Sequence, residues 1–352
     1  MSSAESTNSD YLPVTVVVPT WKRPEWLQRC LSSVLQQSPG PERILVVLRS
    51  DDEASQRVVG EFSPRVEFAV VTKPGHVEPV RAALAAVDTP YIALIDDDGE
   101  AIGRQWLLHL VAVLQSEADV AVVGSQVRDV GVPPPRAKRQ SGRLTWYGRF
   151  VGNVSARTDL KPVQVAALQE ANWAWRTSSL RGCAIDPIWD DGDAAMYSLD
   201  LCSQARAAGM RVMFTSDAPI THHRAPRDSE IRRDDWDARC YAYSRNLTYV
   251  ALKFERRRLI PFLVWSTFIG DRGGLFGVVT AVDVVLRRRQ TLSAVAASFR
   301  GRLAAFRWWS DRRKHDSDAA TTDISGELSN SVGGQDSHPS NNELPRRRFN
   351  DL

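Results

Sequence analysis

Tyr91-Ile92-Ala93-Leu94-Ile95-Asp96-Asp97-Asp98 is the stretch on which the fold turns. Its five leading residues form an apolar run rich in strand formers, which reads as a buried parallel strand. The three aspartates stand where that strand ends, and in open α/β sheets ligands bind outside the carboxyl ends of the strands. Adjacent carboxylates repel one another. Their clustering at the mouth of a buried strand is explained by a hard divalent cation, or by arginines, offsetting the charge. A cation held there would clamp phosphate oxygens. The plainer alternative is a solvated Asp-Asp-Asp-Gly-Glu turn, with one aspartate capping a helix that begins near Arg104.

Working outward, the alternation of strand and helix repeats. Residues 14–18 read as a strand and 19–24 as a turn. Leu27, Cys30, Leu31, Val34 and Leu35 then mark one helix face, with Pro24 in the first turn, where it is tolerated. Strands follow at 44–48, 66–71 and 120–123, with helices at 76–87 and 105–114. This order predicts an α/β fold with a doubly wound, mostly parallel sheet. Neither a G-x-G-x-x-G nor a G-x-x-x-x-G-K-[ST] pattern follows the first strand, so phosphates must be held by another device.

The 352 residues suffice for one large α/β domain or two smaller ones, and 43% hydrophobic with 25% charged residues is ordinary for a globular protein. The net charge of +3 conceals an asymmetry. Residues 253–314 hold fourteen Lys or Arg against four Asp or Glu, a surplus of +10 that leaves the rest at −7. Cys30, Cys183, Cys202 and Cys240 show neither C-x-x-C spacing nor a zinc-finger histidine, so no disulfide framework or zinc site is indicated. A reduced, cytoplasmic setting is expected, and the polar first dozen residues lack the apolar core of a secretory signal.

Further motifs follow the Asp-ended strand. Residues 131–149, with Pro133-Pro134-Pro135, read as a basic loop able to close over a substrate. Residues 166–176 read as a core strand in which Glu170, Asn172 and Arg176 interleave with Trp173 and Trp175, side chains that serve more often as core than as a sugar platform. Asp186, Asp190, Asp191 and Asp193 form an acidic stretch before a helix at 197–208 that carries Asp200; a general base for hydroxyl activation fits here. After a strand at 211–215 come His222 and His223, one of which suits a metal, and Arg227, which suits a phosphate.

In this order the motifs Val17-Val18-Pro19-Thr20-Trp21-Lys22-Arg23-Pro24, Ile95-Asp96-Asp97-Asp98, Asn172-Trp173-Ala174-Trp175-Arg176, Asp200-Leu201-Cys202 and His222-His223 resemble family 2 glycosyltransferases of the GT-A fold, over roughly residues 12–250. The resemblance implies that Asp96 and Asp98, with His222, hold Mg²⁺ or Mn²⁺ and the donor diphosphate. Thr20, Arg23, Asp51, Arg81 and Asp97 would then contact a nucleotide-sugar donor, a UDP-sugar by preference, although Leu48-Arg49-Ser50-Asp51-Asp52 departs from the family's Asp directly after the second strand. Asn172, Trp173 and Arg176 would face the acceptor. The family commonly carries an acidic base two positions before the aspartate of the helix motif, where this chain has Ser198. A serine of ordinary pKa cannot act as a base near neutral pH, so the role falls to Asp193 first, then to Asp191 or Asp200. The implied reaction inverts the anomeric carbon in one displacement. The departure at Ser198 also supports an alternative, a glycosyltransferase-like protein that binds nucleotide or serves as a scaffold without turnover.

Beyond residue 250 the apolar segment 259–286 is interrupted by Asp271, Arg272, Gly273, Gly274 and Asp283, and falls short of the ~18–20 uninterrupted apolar residues of a spanning helix. Arg256-Arg257-Arg258 and Arg287-Arg288-Arg289 bracket it. A helical extension over 251–314 that faces an anionic membrane surface is expected, and no nucleic-acid motif accompanies the basic stretch. The acceptor is then a glycan or lipid-linked saccharide at the inner face of the membrane, in cell-surface polysaccharide assembly. Residues 1–11 and the polar tail 315–352 are expected to be disordered.

Overall fold

Valines 14, 16 and 18 pack against Leu27, Cys30, Leu31 and Val34, and this contact fixes the first strand–helix unit. It recurs through a computed structural model that describes residues 10–133, 136, 140–190, 194–226, 235–287 and 291–330. The first half comprises β1 (Tyr11–Thr20), α1 (Pro24–Leu35), β2 (Gly40–Arg49), α2 (Glu53–Glu61), β3 (Glu67–Val71), α3 (Glu78–Ala86), β4 (Tyr91–Ile95), β5 (Gly99–Ala101), α4 (Trp106–Ser116), β6 (Val120–Gly124) and β7 (Val127–Asp129). The second comprises β8 (Val163–Gln164), β9 (Asn172–Arg176), α5 (Thr177–Arg181), α6 (Tyr197–Ala207), β10 (Arg211–Phe214), β11 (Ile220–His222), α7 (Trp236–Phe254), α8 (Leu259–Phe268), α9 (Val278–Leu286) and α10 (Leu292–Asn330).

Eight strands form the main sheet in the order β3-β2-β1-β4-β9-β6-β10-β8. All neighbours are parallel except around β9, which runs antiparallel to β4 and β6, and at the edge strand β8. Helices cover both faces, which is why β4 and β6 are buried at every residue rather than at alternate ones. A second sheet, β5-β11-β7, stands at the carboxyl edge of the first. The aspartate triplet does not cap α4, because β5 intervenes and the Gly99 N–H donates to the Asp96 carbonyl at 2.9 Å to turn the chain into it.

The described residues divide into two compact units, one up to Trp308 and one from Trp309 on, and residue 250 lies inside α7. In the first unit, Cys240, Phe276, Val284, Ala294 and Ala297 make a core of their own. Among the four described cysteines, Cys30, Cys202 and Cys240 are buried and none is in a disulfide. The disorder expected for the tail meets a helix as far as Asn330; residues 1–9 and 331–352 lie outside the described residues.

Helices α7 and α10 cross at Gly301, where a Cβ would stand 2.3 Å from the Tyr241 carbonyl oxygen. Gly301→Ala should therefore lower stability by about 1–3 kcal/mol through backbone displacement, despite its better helix propensity. Gly60→Ala on α2, where a Cβ meets nothing within 4 Å, should be neutral or mildly stabilising. Thermal melts of the two variants side by side check the contrast.

Candidate active site

The register of the small sheet assembles the site. β11 places His222 opposite Gly99 of β5 on one side and opposite Asp129 of β7 on the other. His222 Nε2 lies 3.2 Å from Asp98 Oδ1 and 3.8 Å from Asp96 Oδ2, and its Nδ1 lies 2.6 Å from Asp129 Oδ1. Ligand atoms of Asp96, Asp98 and His222 all fall within 4.8 Å of one another. Two carboxylates and an imidazole make an oxygen-rich donor set that fits a hard divalent cation such as Mg²⁺ or Mn²⁺. Asp129 orients the imidazole from behind, as outer carboxylates do for metal-bound histidines.

Burial by itself would lower the pKa of His222, but its hydrogen bonds and charge contacts with Asp98, Asp129 and Asp96 prevail and raise it to about 9. Burial would raise Asp98, yet His222, Arg23 and the Ala225 N–H together hold it down at about 2. Asp97 differs. Burial dominates there and lifts its pKa to about 6 against the pull of Arg23 and Thr20.

Asp97 is also turned inward. Thr20 Oγ1 donates to its Oδ2 at 2.8 Å and Arg23 Nη1 to its Oδ1 at 2.8 Å. Arg23 further reaches the Ala225 carbonyl at 3.2 Å and lies 3.6 Å from Asp98 Oδ2, which accepts from the Ala225 N–H at 2.8 Å. Thr20, Arg23 and Asp97, expected to touch the donor, thus spend their polar groups on one another and clamp the β1 loop to the triplet and to the chain after β11. The side chains of these three are 10% exposed or less, or buried outright. The backbone N–H of Lys22, in left-handed conformation at φ 54°, donates to Asp52, the N-cap of α2. Asp51 remains half-exposed at the end of β2, beside Arg49 and Lys22. Arg81, on α3, is held by Asp190 at 2.6 Å and by the Ile185 carbonyl at 3.1 Å.

Residues 15–180 match the model of the glycosyl transferase family 2. These residues, just under half of the chain, are similar to family 2 glycosyltransferases. Uncharacterized glycosyltransferases of Mycobacterium tuberculosis and Mycobacterium bovis are 29% identical over 204 residues, covering 57% of this chain and 82% of theirs. The fold is of the GT-A type. It resembles the mannosyltransferase PcManGT from Pyrobaculum calidifontis in complex with GDP-Man and Mn²⁺, at a TM-score of 0.52, 16% identity, and coverage of 89% of this chain and 87% of that one. It also resembles S. aureus TarS 1-349 in complex with UDP-GlcNAc, at a TM-score of 0.53, 14% identity, and coverage of 82% and 79%.

The acceptor side of the site departs further from expectation. Because β9 is antiparallel to β4, it starts at the catalytic edge and ends at the opposite one. Arg176 pairs with Tyr91 and donates to the Leu114 carbonyl at 2.7 Å, far from the triplet along the strand. Asn172 is fully buried; it accepts from Trp106 Nε1 at 2.9 Å and donates to the Gln126 and Ala218 carbonyls at 2.9 and 2.8 Å. Trp173 is fully buried too, stacked edge-on against Trp175 and Tyr197. All three are framework residues, which corrects the acceptor assignment.

Asp200 is likewise withdrawn as a base. It is fully buried, with Lys253 Nζ at 2.9 Å from Oδ1 and Gln204 Nε2 at 2.8 Å from Oδ2, and Lys253 also binds Asp186 at 2.6 Å. Asp191 and Asp193 lie outside the described residues. One contributor escaped the sequence reading, and a second was read only as part of a strand. Asp129 carries no local signal, because only the long-range pairing of β7 with β11 brings it behind His222. Half-buried Glu170, two residues before β9, reaches the catalytic edge through the reversal of that strand, and with Asp96 it adds charge that, after burial, raises the Tyr197 pKa.

Proposed function

We propose that this protein is a metal-dependent inverting family 2 glycosyltransferase that moves a sugar from a nucleotide-diphosphate donor, a UDP-sugar by preference, to a hydroxyl of a glycan or lipid-linked saccharide. The observation that carries the reading is the convergence of Asp96, Asp98 and His222 at the end of β4. A bound Mg²⁺ or Mn²⁺ supplies Lewis-acid stabilisation of the charge that develops on the leaving diphosphate. The nucleotide lies against the end of β2, with Asp51 at its rim, and Arg81 faces the diphosphate beside Asp190. The acceptor oxygen attacks the anomeric carbon as the bond to the diphosphate oxygen breaks, and a carboxylate takes the hydroxyl proton. Asp193, or Asp191, fills that role, in the segment that follows the Arg81–Asp190 ion pair. The complexes of similar fold with GDP-Man and Mn²⁺ and with UDP-GlcNAc support this donor class. The acceptor is presented at the cytoplasmic face of a membrane, in cell-surface polysaccharide assembly.

A panel of UDP- and GDP-sugars with Mn²⁺ should yield nucleoside diphosphate from at least one donor, and chelation with EDTA should stop its release. Asp193→Asn should then suppress turnover while donor affinity, read by calorimetry, stays unchanged; Glu170→Gln serves as the comparison. Nucleotide binding with no release from any donor would instead favour the non-catalytic, nucleotide-binding reading, which Ser198 motivates.

A further inference from the structure

Among the described residues, twelve of the twenty large apolar side chains that stand exposed lie between residues 260 and 308, so the exposure is local rather than scattered. On α8, Ile260, Val264 and Phe268 recur every fourth residue and form one line. On α9, Val278, Val282 and Leu286 do the same, with Val279 beside them. Ile260 is 74% exposed, Phe268 60%, Val279 60% and Leu286 78%. The opposite faces are already used: Phe262 and Trp265 of α8 are buried, and Val284 of α9 packs with Ala281 and Val285 in the core shared with α7 and α10. Both helices are therefore apolar nearly all round, and one side of each has no protein against it among the described residues.

The hairpin that presents these lines is fixed. Gly270, at φ 66°, bridges to Phe276, and a Cβ on Gly277 would stand 2.5 Å from the Ile269 carbonyl carbon. Thr280 Oγ1 donates to the Ile269 carbonyl at 2.6 Å. The ten and nine residues of α8 and α9 make rods of ~15 Å, half the ~30 Å of a bilayer's hydrocarbon core. No helix among the described residues is long and apolar enough to cross a membrane.

The rim is cationic. Arg256 and Arg257 are exposed just before α8, Arg272 lies in the hairpin loop, Arg287 ends α9, and Arg300 and Arg307 are exposed on α10. Asp283, the acidic residue of α9, is taken by Arg272 at 2.8 Å and Arg287 at 2.5 Å. A second copy of this chain docked symmetrically would bring this positive rim close to its own image. Anionic headgroups would meet it with opposite charge while the acyl boundary takes the apolar lines.

We propose that the α8–α9 hairpin is a monotopic docking face that seats the protein on an anionic lipid surface, its two helices lying in the interface plane. This deepens the acceptor reading above by naming the surface that would bring the site to a lipid-linked substrate, and its test does not depend on turnover. The full chain is co-sedimented with phosphatidylcholine vesicles with and without phosphatidylglycerol. Binding is expected only with the anionic lipid, weakening as salt is raised. Phe268→Glu combined with Val282→Glu should reduce it by about tenfold or more, and Arg256→Glu with Arg257→Glu by a similar factor. Both positions of the first variant face outward, and circular dichroism confirms that each variant folds. Vesicle binding that ignores anionic lipid, or that survives both variants, overturns the proposal. So does a wild-type dimer in light scattering that Phe268→Glu with Val282→Glu converts to monomer, since a second copy then owns the face. Donor hydrolysis measured without vesicles on the same variants separates the two readings: an inert protein that binds vesicles loses the transferase, and an active one that does not bind loses the docking face.

Discussion

Asp98→Asn should abolish metal-dependent donor turnover, with a loss of at least about a hundredfold in kcat/KM. Asp98 is contacted by His222 Nε2 at 3.2 Å, the Ala225 N–H at 2.8 Å and Arg23 at 3.6 Å. The amide keeps the size of the carboxylate and can still accept from Ala225, so the chain after β11 stays in place. What goes is the negative charge that a cation would need and that helps to raise the pKa of His222. Calorimetric Mn²⁺ titration should show affinity falling in parallel, with the melting temperature little changed. Full activity in the variant would remove Asp98 from the site.

The largest stability effect is expected at Lys253, remote from the metal group. Its ammonium joins Asp186 and Asp200 across α6 and α7, and Tyr249 adds a hydrogen bond to Asp186 at 2.9 Å. Lys253→Met leaves two buried carboxylates without their cation, at a cost of about 3–5 kcal/mol. The pH dependence has a definite sign. Burial already raises the Asp200 pKa against the pull of Lys253, and removing that pull raises it further. The folded variant then binds protons more readily than the unfolded chain, so its stability falls as pH rises through the carboxylate range. Denaturant melts should show the deficit growing from acidic to neutral pH and shrinking below it. A deficit independent of pH would mean that lost packing of the lysine stem, not charge, is responsible.

These two residues also mark what the sequence could reveal. Asp98 was legible because it follows an apolar run, and the same local logic delivered β1, β2, β4, β6 and α1 within a few residues of their observed bounds. Choosing His222 over His223 depended on resemblance alone, and the structure supplies the reason: register faces His222 toward Asp98, while His223 rests on Trp26 with ring centroids 4.8 Å apart. Lys253 was illegible. Nothing near Val250-Ala251-Leu252-Lys253 tells that its head group meets an aspartate 53 positions earlier. The small sheet was missed for the same reason, since strands of three residues carry too little alternation to be read and exist only through their long-range partners. The strand read over 166–176 is observed only at 172–176, and its direction, which moves Arg176 away from the site, depends on pairing rather than on composition.

The reversed strand has a consequence for how such a chain can be edited. In a wholly parallel sheet, variation that alters ligand choice collects in the loops that leave the strands. Around β9 the two ends exchange duties: the segment entering it, with Glu170 and Ala171, borders the aspartates, and the Asp96 N–H donates to the Ala171 carbonyl at 3.4 Å. The segment leaving it runs into α5 at the far edge, beside Tyr91. Insertions at 165–170 should therefore change which sugars are handled, whereas changes where β9 runs into α5 should pass unnoticed by the substrate, and libraries aimed at new specificity belong at the entry to β9 rather than at its exit.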